Sequence, residues 1–203
     1  MGWNFYNASG ELQINDGGVQ AGSAVFTGKV ALGSNLLVGN AGSTGIAVSA
    51  NGEVTMAAQP AFSAYNGSAI NNVTGNNTQY TCVFGTEVFD QNGDFDGTST
   101  FTAPVTGRYR LSLAVNMGGV TSSGTRGRLR IVTPNRTYEA YWHPSNNEVT
   151  TDSISFCQMH ILADIDASEA VTTTVLINGE GSDVCDFGGT SELNTWFAGE
   201  LVV

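Results

Sequence analysis

The sequence is poor in charge, and poorest in positive charge. Its 203 residues carry 7 Lys and Arg against 18 Asp and Glu, a formal net charge of −11. Charged residues make up 12% of the chain, about half the usual share. Such an acidic chain repels phosphate backbones and anionic headgroups, so nucleic acid and anionic membranes are not expected as partners. No apolar run approaches the roughly 20 residues a spanning helix needs, and no membrane insertion is expected. The opening Met1-Gly2-Trp3-Asn4-Phe5-Tyr6-Asn7 has neither a basic n-region nor an apolar h-region. The expectation is a protein made in a cytoplasm without a signal peptide.

Cysteine is scarce as well. Cys82, Cys157 and Cys185 are an odd number at no metal-type spacing. Cys82 and Cys157 sit in apolar runs and are expected to be buried thiols. Cys185, beside Asp183 and Asp186, is expected in a loop. His143 and His160 fall in no zinc pattern. His160, between Met159 and Ile161, reads as a core residue. The sequence contains no nucleophile elbow, HExxH or P-loop pattern and no Ser-His-Asp order, so no catalytic residue is assigned and the chain is not read as an enzyme.

What is present points to strands. Apolar residues reach 41% and Gly numbers 26, yet no stretch keeps a 3.6-residue apolar period for three turns. Residues 108–115 alternate: Tyr109, Leu111, Leu113 and Val115 face one way, Arg108, Arg110, Ser112 and Ala114 the other. Val171, Val175 and Ile177 share a face in the same manner. The texture divides the chain into three parts. Residues 1–20 form an N-terminal anchor segment. Residues 21–59 alternate short apolar pieces (Val30-Ala31-Leu32, Leu36-Leu37-Val38, Ile46-Ala47-Val48, Val54-Thr55-Met56) with turns, among which Asn51-Gly52 is the strongest hairpin signal. Pieces this short need several chains to bury their apolar rows, which makes this part a β-rich stalk. Gln59-Pro60 breaks the pattern. Residues 60–203, with many short strands and recurring turns, form a β-sandwich or jelly roll.

The head also resembles a known family. Pro60-Ala61-Phe62-Ser63-Ala64 is similar to the first strand of the complement C1q and tumour-necrosis-factor superfamily. Phe89-Asp90-Gln91-Asn92-Gly93-Asp94-Phe95-Asp96, Phe101-Thr102-Ala103-Pro104 and Gly107-Arg108-Tyr109-Arg110-Leu111 follow the family's turn, Phe-x-x-Pro and Gly-x-Tyr pieces in order. Trp196-Phe197-Ala198-Gly199-Glu200-Leu201 resembles its closing strand, with Ala198 where Ser is usual. Residues 120–150 lie outside the resemblance. It implies an all-β jelly-roll head that forms a homotrimer, with Trp196 and Phe197 at the subunit interface. Trp3-Asn4-Phe5-Tyr6-Asn7-Ala8-Ser9-Gly10 resembles the opening of tailed-phage virion proteins, and residues 45–56 resemble phage fibre repeats. No Gly-x-y collagen stalk is present. These resemblances imply a bacteriophage virion protein, a fibre, spike or capsid decoration. Its N-terminal segment would contact other virion proteins, and its head would bind a host-surface glycan or protein or stabilise the particle. The alternative is a free C1q-like extracellular recognition module.

Two groups of residues are candidate sites. Asn92, Asp94 and Asp96 hold the first, third and fifth positions of a calcium-type loop with Gly97 at the sixth, although the twelfth is Ala103 and not Glu. Calcium is the one cofactor entertained; a plain β-turn explains the same residues. Tyr138, Tyr141, Trp142 and His143 precede the polar run Pro144-Ser145-Asn146-Asn147, as in a recognition surface; the competing reading puts Tyr141 and Trp142 at a core strand edge.

The stalk reading is checked by hydrogen exchange. Ordering each residue costs on the order of 1–2 kcal/mol, which a lone chain cannot recover over residues 21–58. A fragment of residues 1–58 is expected to exchange fast throughout, and the same amides to be protected in the intact oligomer. Fast exchange there in the intact oligomer would make the segment a tether.

Overall fold

The computed structural model describes residues 46–49, 51–144 and 153–203. Residues 1–45, and with them the anchor segment and most of the stalk, lie outside the described residues. The first element is the hairpin foreseen at Asn51-Gly52. Strands β1 (Ile46–Val48) and β2 (Val54–Met56) pair antiparallel with Val48 opposite Val54. Gly52 takes a φ of 93°, a left-handed conformation that glycine adopts at little cost. Val54 and Met56 are 61% and 44% exposed, so one chain alone does not bury this hairpin.

The rest is a sandwich of two antiparallel sheets. The first sheet is built on β8 (Gly107–Gly118). One edge of β8 pairs with β11 (Ser155–Ile165). The other edge pairs with β14 (Trp196–Leu201) and, further along, with β13 (Cys185–Phe187). Beyond β14 come β3 (Ala61–Tyr65) and β6 (Thr86–Asp90); beyond β13 comes β4 (Ile70–Thr74). The second sheet runs β10 (Thr137–Trp142), β9 (Arg126–Val132) and β12 (Ala170–Asn178). Two short strands, β5 (Tyr80–Thr81) and β7 (Thr100–Thr102), share the far edge of β12. Chain neighbours β7 and β8 lie in opposite sheets, as do β11 and β12, and the last strand returns to lie beside the first strand of the sandwich. This is the jelly roll expected from the sequence.

Period-two patterning accounts for the core. Tyr109, Leu111, Leu113, Val115 and Met117 of β8 are all fully buried, as are Val171, Val175 and Ile177 of β12. Phe62 lies at the centre. Its ring stacks on Phe95 and Phe101 at centroid distances of 5.2 and 4.8 Å and meets Phe197 edge-on at 5.0 Å. Tyr109 is buried too, and its hydroxyl donates to the Val105 carbonyl at 2.7 Å, so the polar tip is satisfied.

Three expectations are corrected here. Cys185 is not in a loop: it is fully buried on β13 and packs in the core. His160 is not a core residue. It stands on the exposed side of β11, its Nδ1 2.9 Å from Ser112 Oγ. Of the closing aromatics, Phe197 points into the core and only Trp196 lies on the outer face. Burial pushes the thiols of Cys82 and Cys185 up to about 12, and that of Cys157, half-buried, to about 11, so none is a ready nucleophile at neutral pH.

Phe62→Ala deletes the ring on which three others pack. It is expected to cost about 3–5 kcal/mol in a urea melt, whereas Val88→Ala, at a position 53% exposed, should stay within about 0.5 kcal/mol.

Candidate recognition surfaces

The turn after β6 contains the calcium candidates. Asp90 accepts backbone N–H bonds from Gly93, Asp94 and Phe95 at 2.9–3.1 Å. Asp96 Oδ1 accepts three more, from Thr98, Ser99 and Thr100, at 2.7–3.0 Å. These bonds hold the Asp96 carboxyl below its usual range against the opposing effect of partial burial. Asn92 is exposed, and its side-chain amide donates to the Ala58 carbonyl at 3.2 Å. Asp94 differs: its Oδ2 is buried without a hydrogen-bond partner, and burial, together with the Asp90 charge, raises its pKa. Among the described residues no group of three or more His, Cys, Asp or Glu side chains is placed to hold a metal ion. Asp90 and Asp96 thus serve the turn, and Asp94 Oδ2 is the oxygen left over.

The aromatic candidates separate by strand parity. On β10, Tyr138, Ala140 and Trp142 pack against the core, while Tyr141 is 58% exposed. Trp142 lies on Gly127 of β9, where any Cβ would come within 2.2 Å of the indole. Its Nε1 donates to Ser155 Oγ at 2.9 Å, and that hydroxyl donates to the Pro144 carbonyl at 3.2 Å. Trp142 therefore joins the edges of the two sheets. His143 is exposed at the end of β10. Of the four aromatic candidates, Tyr141 is the one that faces outward from within a strand.

Beside Tyr141 the structure reveals residues that the sequence reading missed. Gly127, Leu129 and Ile131 of β9 face inward, so Arg126, Arg128 and Arg130 line up on the outer face. Tyr141 is opposite Arg128 and Glu139 is opposite Arg130. Arg130 forms an ion pair with Glu139 and donates to Gln79 Oε1 at 2.7 Å. Arg128 also reaches Gln79 Oε1, at 3.3 Å, and Arg126 donates to Asn77 Oδ1 at 2.7 Å. The guanidinium arms cross β12, where outward-facing Thr174 and Leu176 are only 6% and 2% exposed. Tyr141 donates its hydroxyl to Glu139 Oε2 at 2.6 Å. That bond and Arg130 hold the Glu139 carboxyl below its usual range. The available signal was Arg-x-Arg-x-Arg at 126–130 in a chain with few cations.

The outer face of the first sheet has a different character. Leu162, Phe89 and Phe156 are 56%, 50% and 40% exposed there. Arg108 pairs with Asp164 at 3.1 Å and Arg110 with Glu200 at 2.6 Å. A shallow groove of about 150 Å³ runs between Ala61, Phe89, Ser112 and Ala198.

No family model and no curated protein matches this chain. Among solved structures, the globular domain of zebrafish complement 1qA protein is 16% identical. The match covers 71% of this chain and 98% of that one, at a TM-score of 0.46. Murine APRIL at pH 5.0 is 11% identical over 71% of this chain and 99% of its own, with a TM-score of 0.48. The same protein at pH 8.5 gives 7%, the same coverages and 0.47. The strand order and registers above define the jelly roll by themselves, and likenesses at this level add nothing to it.

The raised pKa of Asp94 fixes the sign of a pH effect. Its folded-state value lies above its unfolded value, so the charged form costs stability once pH rises past the ordinary aspartate range, and protonation removes the cost. At pH 7, Asp94→Asn is expected to raise the melting temperature by about 1–3 °C. The calcium expectation is tested on the same pair. Chelation that lowers the wild-type melt but not that of Asp94→Asn would put a cation at Asp94, since a ligand bound only by the native state stabilises it. Identical melts leave the turn alone.

Proposed function

We propose that this chain is a non-enzymatic structural protein of a bacteriophage virion, a fibre, spike or capsid decoration. Its jelly-roll head forms a homotrimer and binds a host surface or stabilises the particle. The observation that carries the assembly is the outer face of the first sheet. Leu162 on β11 and Phe89 on β6 are exposed towards opposite edges of this face, with the small residues of the shallow groove between the two strands. The arginines there are already paired within the chain, so a second copy can cover them without leaving a lone charge buried. Small residues at Ala61, Ser112 and Ala198 allow close approach along the groove. The exposed apolar hairpin β1–β2 favours the same arrangement, because three copies side by side would shield Val54 and Met56.

The virion setting draws its support from residues 3–10 and 45–56, which resemble phage virion and fibre sequences. In this reading the N-terminal segment contacts other virion proteins, and the protein is made in the host cytoplasm. The second reading is a free C1q-like recognition module. It is favoured by a core built from residues of the sandwich, where Phe62 packs on Phe95, Phe101 and Phe197.

Light scattering at micromolar concentration is expected to give a trimer. Leu162→Arg is expected to give a folded monomer, because the side chain is exposed within one chain and only assembly buries it. A monomeric wild type would sink the assembly. Mass spectrometry of purified virions should find the chain at fixed stoichiometry. Its absence from particles, with a soluble extracellular product instead, would favour the recognition module.

A further inference from the structure

We propose that the outer face of β9 is a receptor site for a carboxylate-bearing sugar, a uronic or sialic acid unit of a surface glycan, gripped by Arg126 and Arg128 with the Tyr141 ring beside them. This rests on the reading of the chain as a binding head and gives that head its ligand class.

The distribution of charge is the first ground. The whole chain has 7 Lys and Arg, and three arginines stand at alternate positions of one strand. Arg108, Arg110 and Arg130 each have a carboxylate partner. Arg126 and Arg128 are instead held by the neutral amide oxygens of Asn77 and Gln79. A neutral acceptor orients a guanidinium without cancelling its charge. Asn77 is itself fixed: its backbone has a φ of 71°, and its N–H donates to the Ile177 carbonyl at 3.0 Å. Arg126 and Arg128, about 7 Å apart along the backbone, thus have no carboxylate as a direct partner, although Glu139 lies within the field of Arg128, in a chain of net charge −11.

The second ground is independent of charge. Arg128 Nε and Thr174 Oγ1 are both buried without a hydrogen-bond partner. Thr174 is 6% exposed and opposite Arg130, hence on this face. Buried polar atoms are rarely left unpaired, and both of these belong to residues of this outer face.

The chemistry of the patch selects the ligand. A guanidinium fork matches a carboxylate bidentately. The outward ring of Tyr141 offers an apolar face to a pyranose, and its hydroxyl bond to Glu139 fixes the ring. Glu139 adds a negative rim that accepts from sugar hydroxyls and disfavours multiply charged phosphates. The chain's acidity acts in the same direction against long polyanions. A lone carboxylate on a neutral ring fits both conditions. The patch lies on the opposite sheet from the assembly face, so a trimer would present three copies outward and gain avidity.

The test uses the intact protein on an interferometry surface, with trigalacturonic acid and 3′-sialyllactose as probes. Lactose serves as the neutral control and a hexaglutamate peptide as the acid that is not a sugar. One of the two acidic sugars is expected to bind about tenfold or more tighter than lactose and than hexaglutamate. Arg126→Gln, at an exposed position, and Arg128→Gln should each weaken that binding about tenfold, while Arg136→Gln, which removes the same charge at the β9–β10 turn, should change it less than about twofold. Light scattering on the same samples separates the two ideas. A trimeric wild type that binds neither acidic sugar overturns the site and leaves the assembly standing. A monomeric wild type that still binds overturns the assembly and leaves the site standing. Hexaglutamate binding as tight as the sugars, or equal losses in Arg136→Gln, would reduce the patch to general charge attraction and also overturn the proposal.

Discussion

Strand β8 is bonded along both edges, and the first sheet hangs from it. One edge pairs with β11 from Gly107 opposite Ile165 to Met117 opposite Ser155. The other edge is shared end to end by β14 and β13. The strands β3 and β6 join this sheet only through β14, and β4 only through β13. The start of β8 also grips the end of the chain. The Arg108 N–H donates to the Val203 carbonyl, and at Gly107 a Cβ would come within 2.6 Å of Leu201 and 2.8 Å of Val203. A side chain at 107 would push the last strand outward, which explains why glycine opens β8.

The outer faces of the two sheets handle their few charges in opposite ways. On the first sheet, arginine and carboxylate are cross-strand partners, so the face is electrically quiet and can be covered. Exposed pairs of this kind contribute little to stability, about 0–1 kcal/mol each, and their effect is to leave no charge that needs water. On the second sheet Arg130 pairs with Glu139, but Arg126 and Arg128 find amides. Their stems roof over Thr174 and Leu176, so a face that alternation would leave wet becomes half dry, with its charge held at the top of a packed layer.

The alternation of residues 108–115 made β8 legible in advance, and Asn51-Gly52 marked the hairpin. Strong local patterns carry their own geometry. Cys185 and His160 were misplaced because neighbours in sequence set the expectation: acidic flanks suggested a loop, apolar flanks a core. In a strand the immediate neighbours point the other way, so Met159 inside places His160 outside. The same parity decides between Tyr141 and Trp142, and it is fixed by Gly127, a residue of the facing strand. The arginine row was visible as letters, but its meaning depends on Asn77 and Gln79, which lie 49 and 51 positions from the arginines they hold. No local reading spans that distance.

The side-chain amide of Gln91 donates to the carbonyls of Met56, Ala57 and Gln59 at 2.8–3.0 Å, while Gln59 reaches back to the Leu201 carbonyl at 2.7 Å. The short link between the hairpin and β3 is thereby lashed to two places on the sandwich. A tug on residue 56 reaches β6 and β14 together and does not peel β3 alone. Twisting is resisted in the same way, since the link cannot swivel about a single backbone bond without breaking several contacts at once. Whatever pulls on the N-terminal side therefore loads the sandwich as a block, in shear across strands and not one hydrogen bond at a time.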